Sequence, residues 1–297
     1  MVGLIARVLG GALLVGGLTA GADAAPEGTI ATTAPNGAAE RIPTEIVRPE
    51  GPGPFPAVVI LHDCSGLGPR SSGAPGRWSR ELVARGYLVL IPDSFTTRGH
   101  PDGVCTDASR SRSEVGPARR RVDAYAALAH ARSLPFVDGR RVGVMGGSHG
   151  GSTTLTVMAA PESDAESLTR DTDAGFAAAV ALYPGCRARL GSWRGDGTGT
   201  YRAVAPLLIL IGDQDDWTPA APCVELARSS RATEHPVEIV VYPGAHHSFD
   251  SDRPVRYVAS RVNMNAPAGR GATTGGDPQA WADSIRRVTE FFERTLR

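Results

Sequence analysis

Residues 142–154 read VGVMGGSHGGSTT. An apolar run ends in glycines, Ser148 stands among Gly146, Gly147, Gly150 and Gly151, and small residues follow. The centre is a G-x-S-x-G pattern, a weak signal by itself. Its surroundings say more. Arg141 to Met145 has the composition of a short buried strand introduced by the turn pair Asp138-Gly139, and Thr153 to Ala160 reads as a helix. A strand, a sharp turn at a serine and a helix make a nucleophile elbow, in which the strained turn leaves no room for a Cβ at positions 146 and 150. A tight strand-to-helix turn with an incidental serine fits the same local pattern, so the rest of the chain has to decide.

Outward from this stretch, apolar runs alternate with helical ones. Thr44 to Arg48 reads as a first strand, followed by Pro56 to Leu61, Tyr87 to Ile91, Phe176 to Leu182, Leu207 to Ile211 and Val237 to Val241. Helical spacing falls at Trp78 to Arg85, Pro117 to Ser133, Pro219 to Ser230 and Gln279 to Leu296. In the helix 117–133, Val122, Tyr125, Ala126 and Ala129 share one face, which predicts a solvated face for Arg119 to Arg121. Gly195 to Thr200 and Asn263 to Gly276 read as surface loops. The alternation predicts an α/β fold with a mostly parallel central sheet and helices on both faces, its function gathered beyond the strand C-termini.

Residues 1–24 have the form of a secretory signal peptide: a short n-region with Arg7, an apolar stretch, and Ala22-Asp23-Ala24 as an A-x-A site. Residues 25–42 read as a flexible leader and 43–297 as one catalytic domain. The expected location is therefore periplasmic or extracellular, with no membrane anchor. With 31 basic and 31 acidic residues there is no electrostatic pull toward nucleic acid or an anionic membrane. None of the basic residues is lysine, which excludes a Walker A loop, a Schiff-base lysine and a Ser-Lys dyad. Four cysteines in an exported chain suggest disulfides, and no zinc-type spacing or other metal or cofactor motif is present. A monomer is expected.

The strand ends, taken in order, carry the chemistry. His62-Asp63-Cys64-Ser65-Gly66 follows the first core strand, Ser148-His149 the elbow strand, Gly212 to Pro219 (GDQDDWTP) a third, and Tyr242 to Phe249 (YPGAHHSF) a fourth. Serine, then acid, then histidine is the chain order of an α/β-hydrolase triad.

On the pieces HDCSGLG, PDSF, VGVMGGSHGG, GDQDDWTP, YPGAHHSF, YVAS and WADSIRRVTEFFERTL, which extend over most of residues 55–296, the chain resembles the dienelactone hydrolase family of the α/β-hydrolase superfamily. The resemblance implies an α/β-hydrolase fold and a hydrolase of carboxylic esters or lactones. It departs from the name-giving enzymes in two ways. Their nucleophile is cysteine, where this chain has Ser148. Of the two arginines that hold the substrate carboxylate there, Arg98 lies near the first position, while Asp250 and Asp252 occur where the second is expected. The departures bear on lactone specificity and leave ester hydrolysis untouched.

Ser148 is then the expected nucleophile, with His247 as its base and Asp215 orienting the imidazole. His246 competes with His247, but the family pattern places a small residue and Phe after the histidine, as in Ser248-Phe249. Asp213 and Asp216 compete with Asp215. Asp213 suits the turn at the strand end, and the spacing from Gly212 to Asp215 to Pro219 follows the family pattern. The N–H groups of His149 and Cys64 are the expected oxyanion donors. Asp63, Arg98, Trp217 and Phe249 are candidates to touch a small-molecule ester, with Asp63 also suited to capping its own loop. In this fold the strands preceding Cys64 and Cys105 are neighbours, as are those preceding Cys186 and Cys223, so Cys64–Cys105 and Cys186–Cys223 are the expected disulfides. Two other functions compete: a serine peptidase of related fold, against which stands the lack of a gating domain, and a non-catalytic binding protein, against which stands the intact triad.

Overall fold

The computed structural model describes residues 28–109, 114–162 and 175–297, so the expected signal peptide lies outside the described residues. In chain order the strands are β1 (Thr29–Thr33), β2 (Ala39–Val47), β3 (Phe55–Leu61), β4 (Leu88–Pro92), β5 (Val137–Gly147), β6 (Ala178–Leu182), β7 (Leu207–Gly212), β8 (Glu238–Tyr242), β9 (Arg256–Val262) and β10 (Arg270–Thr274). The helices are α1 (Ala74–Val83), α2 (Pro117–Ser133), α3 (His149–Met158), α4 (Ala220–Ser229) and α5 (Pro278–Leu296). One eight-stranded sheet runs in the order β1-β2-β4-β3-β5-β6-β7-β8. β3 to β8 pair in parallel, while β2 is antiparallel to β4 and β1 to β2. β9 and β10 form a separate hairpin.

The strand sequences explain this layering. Every residue of β4, β6 and β7 is buried whichever face it points to, so both faces of the sheet are covered. α1 and α5 meet through the rings of Trp78 and Trp281, 4.7 Å apart. α5 is anchored by Asp277, whose carboxylate accepts the N–H groups of Gln279 and Ala280, and it buries Val288, Phe291, Phe292 and Leu296.

Three expectations are corrected. Within residues 25–42, expected to be a flexible leader, β1 and the start of β2 form an ordered edge hairpin in which Ile30 and Ile42 are part of the core. Within the expected loop 263–276, β10 pairs with β9 and buries Ala272. In α2 the buried face is the one carrying Arg119, Arg120 and Asp123, and Val122 is exposed.

The reason for the last correction is long-range charge pairing. Arg98 donates to Glu40 at 2.8 Å and to Asp123 at 2.6 Å, and Arg119 donates to Glu40 at 2.5 Å and to Asp123 at 3.2 Å. Thr32 Oγ1 donates to Asp123 Oδ1 at 3.0 Å, so the cluster also binds β1 to α2. Burial opposes the charge of Arg98, but hydrogen bonds and attraction from Asp123 and Glu40 outweigh it and raise its pKa. Asp123 has a fully buried side chain. Asp123→Ala should therefore leave two sequestered guanidiniums sharing Glu40 alone and destabilise the fold by about 3 kcal/mol. Urea unfolding measures this; a loss below about 1 kcal/mol, the size of an exposed pair, contradicts it.

Candidate active site

β5 ends at Gly147 and α3 begins at His149, leaving Ser148 alone at the turn with φ 54° and ψ −113°. Its N–H donates to the Leu182 carbonyl at the end of β6, 2.9 Å away. The approach of α3 needs the glycines: a Cβ on Gly146 would lie 2.6 Å from the Gly150 carbonyl carbon, and one on Gly150 would collide with the Leu61 carbonyl oxygen.

Ser148 Oγ lies 2.9 Å from His247 Nε2, and His247 Nδ1 lies 2.8 Å from Asp215 Oδ2. His247 is fully buried and Ser148 is 8% exposed. Asp215 Oδ1 accepts the N–H groups of Trp217 and Thr218, at 2.9 and 2.8 Å. The neighbouring acids are engaged elsewhere. Asp213 accepts the Gly244 N–H at 2.8 Å, and Asp216 accepts the N–H and hydroxyl of Thr273, both at 2.8 Å. His246 turns away, its Nδ1 3.0 Å from the Gln214 carbonyl. A proton can therefore pass from a hydroxyl to an imidazole whose far side faces a carboxylate.

Cys64 and Ser148 line one cavity of about 60 Å³, together with Trp217, Arg253, Arg256 and Arg261. A groove of about 710 Å³ also reaches Ser148, bordered by His149, Pro117, Val262 and Met264. Cys64 is bonded to Cys105, with Cα atoms 4.9 Å apart, and Cys186 to Cys223, at 5.1 Å. The cluster of Asp63, Cys64 and Cys105 offers no thiolate, since the two sulfurs are bonded to each other.

The substrate-contact candidates divide. Trp217 lines the cavity; its ring lies 4.7 Å from that of His247, and its N–H donates to the Val262 carbonyl at 2.8 Å. Asp63 also lines it, but its carboxylate is used within its own loop by the N–H and hydroxyl of Ser65, at 2.6 and 2.5 Å, and by the Ser72 hydroxyl. Arg98 is held away in the Glu40–Asp123 cluster. Phe249 is fully buried between Tyr183 and Tyr242, because it faces the core side of the histidine loop.

Sequence reasoning missed the arginine wall, because the hairpin β9–β10 that carries Arg256 and Arg261 reads only as polar chain. Arg261 stands 5.3 Å over the Trp217 ring, and its Nε is buried without a hydrogen-bond partner. Burial lowers its pKa; Asp63 opposes this, and Arg256 and Arg253 add to it. Among the described residues, Arg253, Arg256 and Arg261 make no ion pair. Also missed was Asp250, which accepts the Tyr183 hydroxyl and the Trp78 N–H, each at 2.8 Å. The Tyr183 ring lies 4.8 Å from that of His247.

A profile of the dienelactone hydrolase family matches residues 42–296. The chain belongs to the dienelactone hydrolase family. It is a carboxylic ester hydrolase of α/β-hydrolase fold. A relative from Methylorubrum extorquens, named carboxymethylenebutenolidase, is 26% identical over 71% of this chain and 69% of its own length. Among solved structures, a Klebsiella pneumoniae chain bearing the name dienelactone hydrolase superposes with a TM-score of 0.61 at 22% identity, over 90% of this chain and 98% of that one. Esterase 2 of Thermogutta terrifontis, phosphorylated by paraoxon, gives 0.58 at 19%, over 90% and 94%. Both likenesses are of fold.

The buried Asp250 has a pH signature. Burial raises its pKa from 3.8, against the hydrogen bonds of Trp78 and Tyr183. The folded state thus holds this proton after the unfolded chain has released it, and stability falls as pH climbs through the window above 3.8. Asp250→Asn cannot titrate, so the stability gap between the variant and the natural protein should narrow as pH rises from about 4 toward neutrality. Urea midpoints of both proteins across that range test it; a constant or widening gap contradicts the assignment.

Proposed function

We propose that this chain is an exported serine esterase working through an acyl-enzyme, with Ser148 as nucleophile, His247 as general base and acid, and Asp215 as the orienting acid. The observation that carries the reading is the line from Ser148 Oγ through His247 to Asp215 at the wall of the active-site cavity. Two disulfides, with no free cysteine among the described residues, support an oxidising compartment, and the signal-like residues 1–24 agree.

The reaction follows from the atoms. As Ser148 Oγ bonds to the ester carbonyl carbon, His247 Nε2 takes its proton and the carbonyl π pair moves onto oxygen. The N–H groups of Cys64 and His149 are the donors for that oxyanion, each worth about 3 kcal/mol in the transition state. Collapse expels the alcohol, which takes the proton from His247. Water then repeats the sequence on the acyl-enzyme and frees the acid.

The arginine wall supports esters whose acyl or alcohol half bears a negative charge, since an anion would meet three guanidiniums that, among the described residues, form no ion pair. The groove beside His149, bordered by Pro117, Val262 and Met264, suits an apolar half. Arg261→Ala should lower kcat/KM for a p-nitrophenyl hemisuccinate about tenfold, the scale of one charge-assisted hydrogen bond, and leave p-nitrophenyl acetate little changed. Equal losses on both esters would remove the charge argument.

The triad is tested on its own terms. Ser148→Ala should abolish labelling by a fluorophosphonate and turnover of p-nitrophenyl acetate while keeping the fold. Asp215→Asn should cost roughly 10⁴-fold in turnover by holding the imidazole in the wrong tautomer, with Asp213→Asn and Asp216→Asn far milder. Persistent labelling of Ser148→Ala, or collapse at Asp213 or Asp216 with Asp215→Asn near normal, contradicts the assignment.

A further inference from the structure

Arg120 is a fully buried arginine that carries none of the ion pairs that occupy Arg98 and Arg119. Its Nη2 donates to the His62 carbonyl at 2.8 Å, and its Nη1 lies 2.7 Å from His149 Nδ1. Its guanidinium stands 5.0 Å over the Phe95 ring, whose edge contacts bring it to 4.4 Å from the His62 ring and 5.7 Å from the His149 ring. Its Nε is buried with no partner. Burial drives its pKa down to about 10, against the attraction of Asp123, Asp63 and Asp93. Sequestering a guanidinium on neutral acceptors is costly, and a core fills the same volume more cheaply with an apolar side chain. Its position needs another account.

The two groups it grips belong to the two segments that supply the oxyanion donors. His62 immediately precedes Asp63-Cys64 at the end of β3, and His149 directly follows Ser148 at the start of α3. Arginine suits such a bridge, because its planar fork presents several N–H groups at fixed angles and an ammonium does not. The charge also fixes the imidazoles. An arginine only donates, so His149 Nδ1 is the acceptor and that ring is neutral. His62 is likewise held neutral: burial first, then the Arg120 charge, puts its pKa well below 6.5.

We propose that Arg120 is a positioning residue that sets the separation and aim of the Cys64 and His149 N–H groups by clamping the His62 carbonyl and the His149 ring together. The proposal rests on the esterase reading above. It makes Arg120 act on the oxyanion alone, through two backbone segments, without touching substrate. Neither Ser148 nor His247 is in the clamp, so nucleophile and base keep their geometry when it is cut.

The test uses the full chain and four variants, Arg120→Lys, Arg120→Met, Arg120→Met combined with His149→Ala, and His149→Ala alone. The last cuts the clamp from its partly exposed end, which keeps the test informative where an Arg120 variant fails to fold. For each folded variant, kcat and KM on p-nitrophenyl acetate are measured beside the inhibition constant of an aryl trifluoromethyl ketone, whose serine adduct carries an oxyanion. The expected result is a fall in kcat on the order of tenfold to a hundredfold with KM little changed, and an equal loss of affinity for the ketone. His149→Ala should add little on top of Arg120→Met, because the two cut one clamp. Unchanged kcat and ketone affinity in folded protein, with only the thermal midpoint lowered, overturns the proposal in favour of a purely structural arginine. So does a rise in KM alone. Ser148→Ala in the same assay separates the two readings: if it keeps full turnover, the esterase reading has failed, whatever Arg120 does.

Discussion

Ser148 stands at φ 54°, where a residue with a Cβ is strained by roughly 1–3 kcal/mol, and the structure around it is arranged to hold that one conformation. The constraint begins in the sheet. β5 lies between β3 and β6, with Gly146 in register with Leu61 and Gly147 with Leu182. The turn after β5 is therefore flanked by the loop after β3, with Cys64, and the turn after β6, with Tyr183. The acid comes from the end of β7 and the histidine from the end of β8. Five adjacent parallel strands thus deliver their C-terminal loops to one place, and His247 and Asp215 meet the strained Ser148 there. Among the described residues the non-glycine positions with positive φ are Ser148, Tyr183 and Ser248, and all three lie in these loops. Strain is confined to the site, where neighbouring structure over-determines the backbone.

The loops are held by polar contacts in the interior rather than by packing alone. Asp250 accepts from Tyr183 and Trp78 with its carboxylate and from Arg77 with its carbonyl, so it joins the histidine loop to the turn after β6 and to α1. The bond between Cys64 and Cys105 ties the loop after β3 to the chain beyond β4, and that between Cys186 and Cys223 ties the chain beyond β6 to α4. Each disulfide crosses between adjacent parallel strands at their C-terminal ends, which is where a parallel sheet has no hydrogen bonds of its own to offer, while Asp250 spans non-adjacent strands.

What the sequence made legible, and what it hid, follows from the range of the interactions. Strand ends were readable because parallel strands buried on both faces are uninterrupted apolar runs, as in Pro56 to Leu61 and Leu207 to Ile211. Ser148, Asp215 and His247, whose side chains the fold brings together, could be singled out because each follows such a run at a short, family-like spacing. The buried face of α2 was not. Periodicity sends arginine to water, but the partners of Arg98 and Arg119 include Glu40, 58 and 79 residues away, which no local window contains. The same blindness hid β1, whose Thr32 reaches Asp123 across 91 residues. Phe249 failed as a substrate contact for a different reason: motif spacing fixes which residue follows the histidine, not which side of the loop it faces.

His62 and His247 show how little the residue type alone decides. Both are fully buried. The two nitrogens of His62 are spent on backbone: Nδ1 lies 2.8 Å from the Asp63 carbonyl, which requires the proton there, and Nε2 accepts the Ser94 N–H at 3.2 Å. Protonating Nε2 would break that bond and place a cation beside Arg120, so this ring has no proton to trade. His247 has the same pair of nitrogens with a carboxylate at one and a hydroxyl at the other. The carboxylate of Asp215 stands at its Nδ1, across the ring from the Ser148 hydroxyl at Nε2. Two buried imidazoles in one fold thus differ in what stands around them, a cation and two peptide groups at His62, an acid and an alcohol at His247.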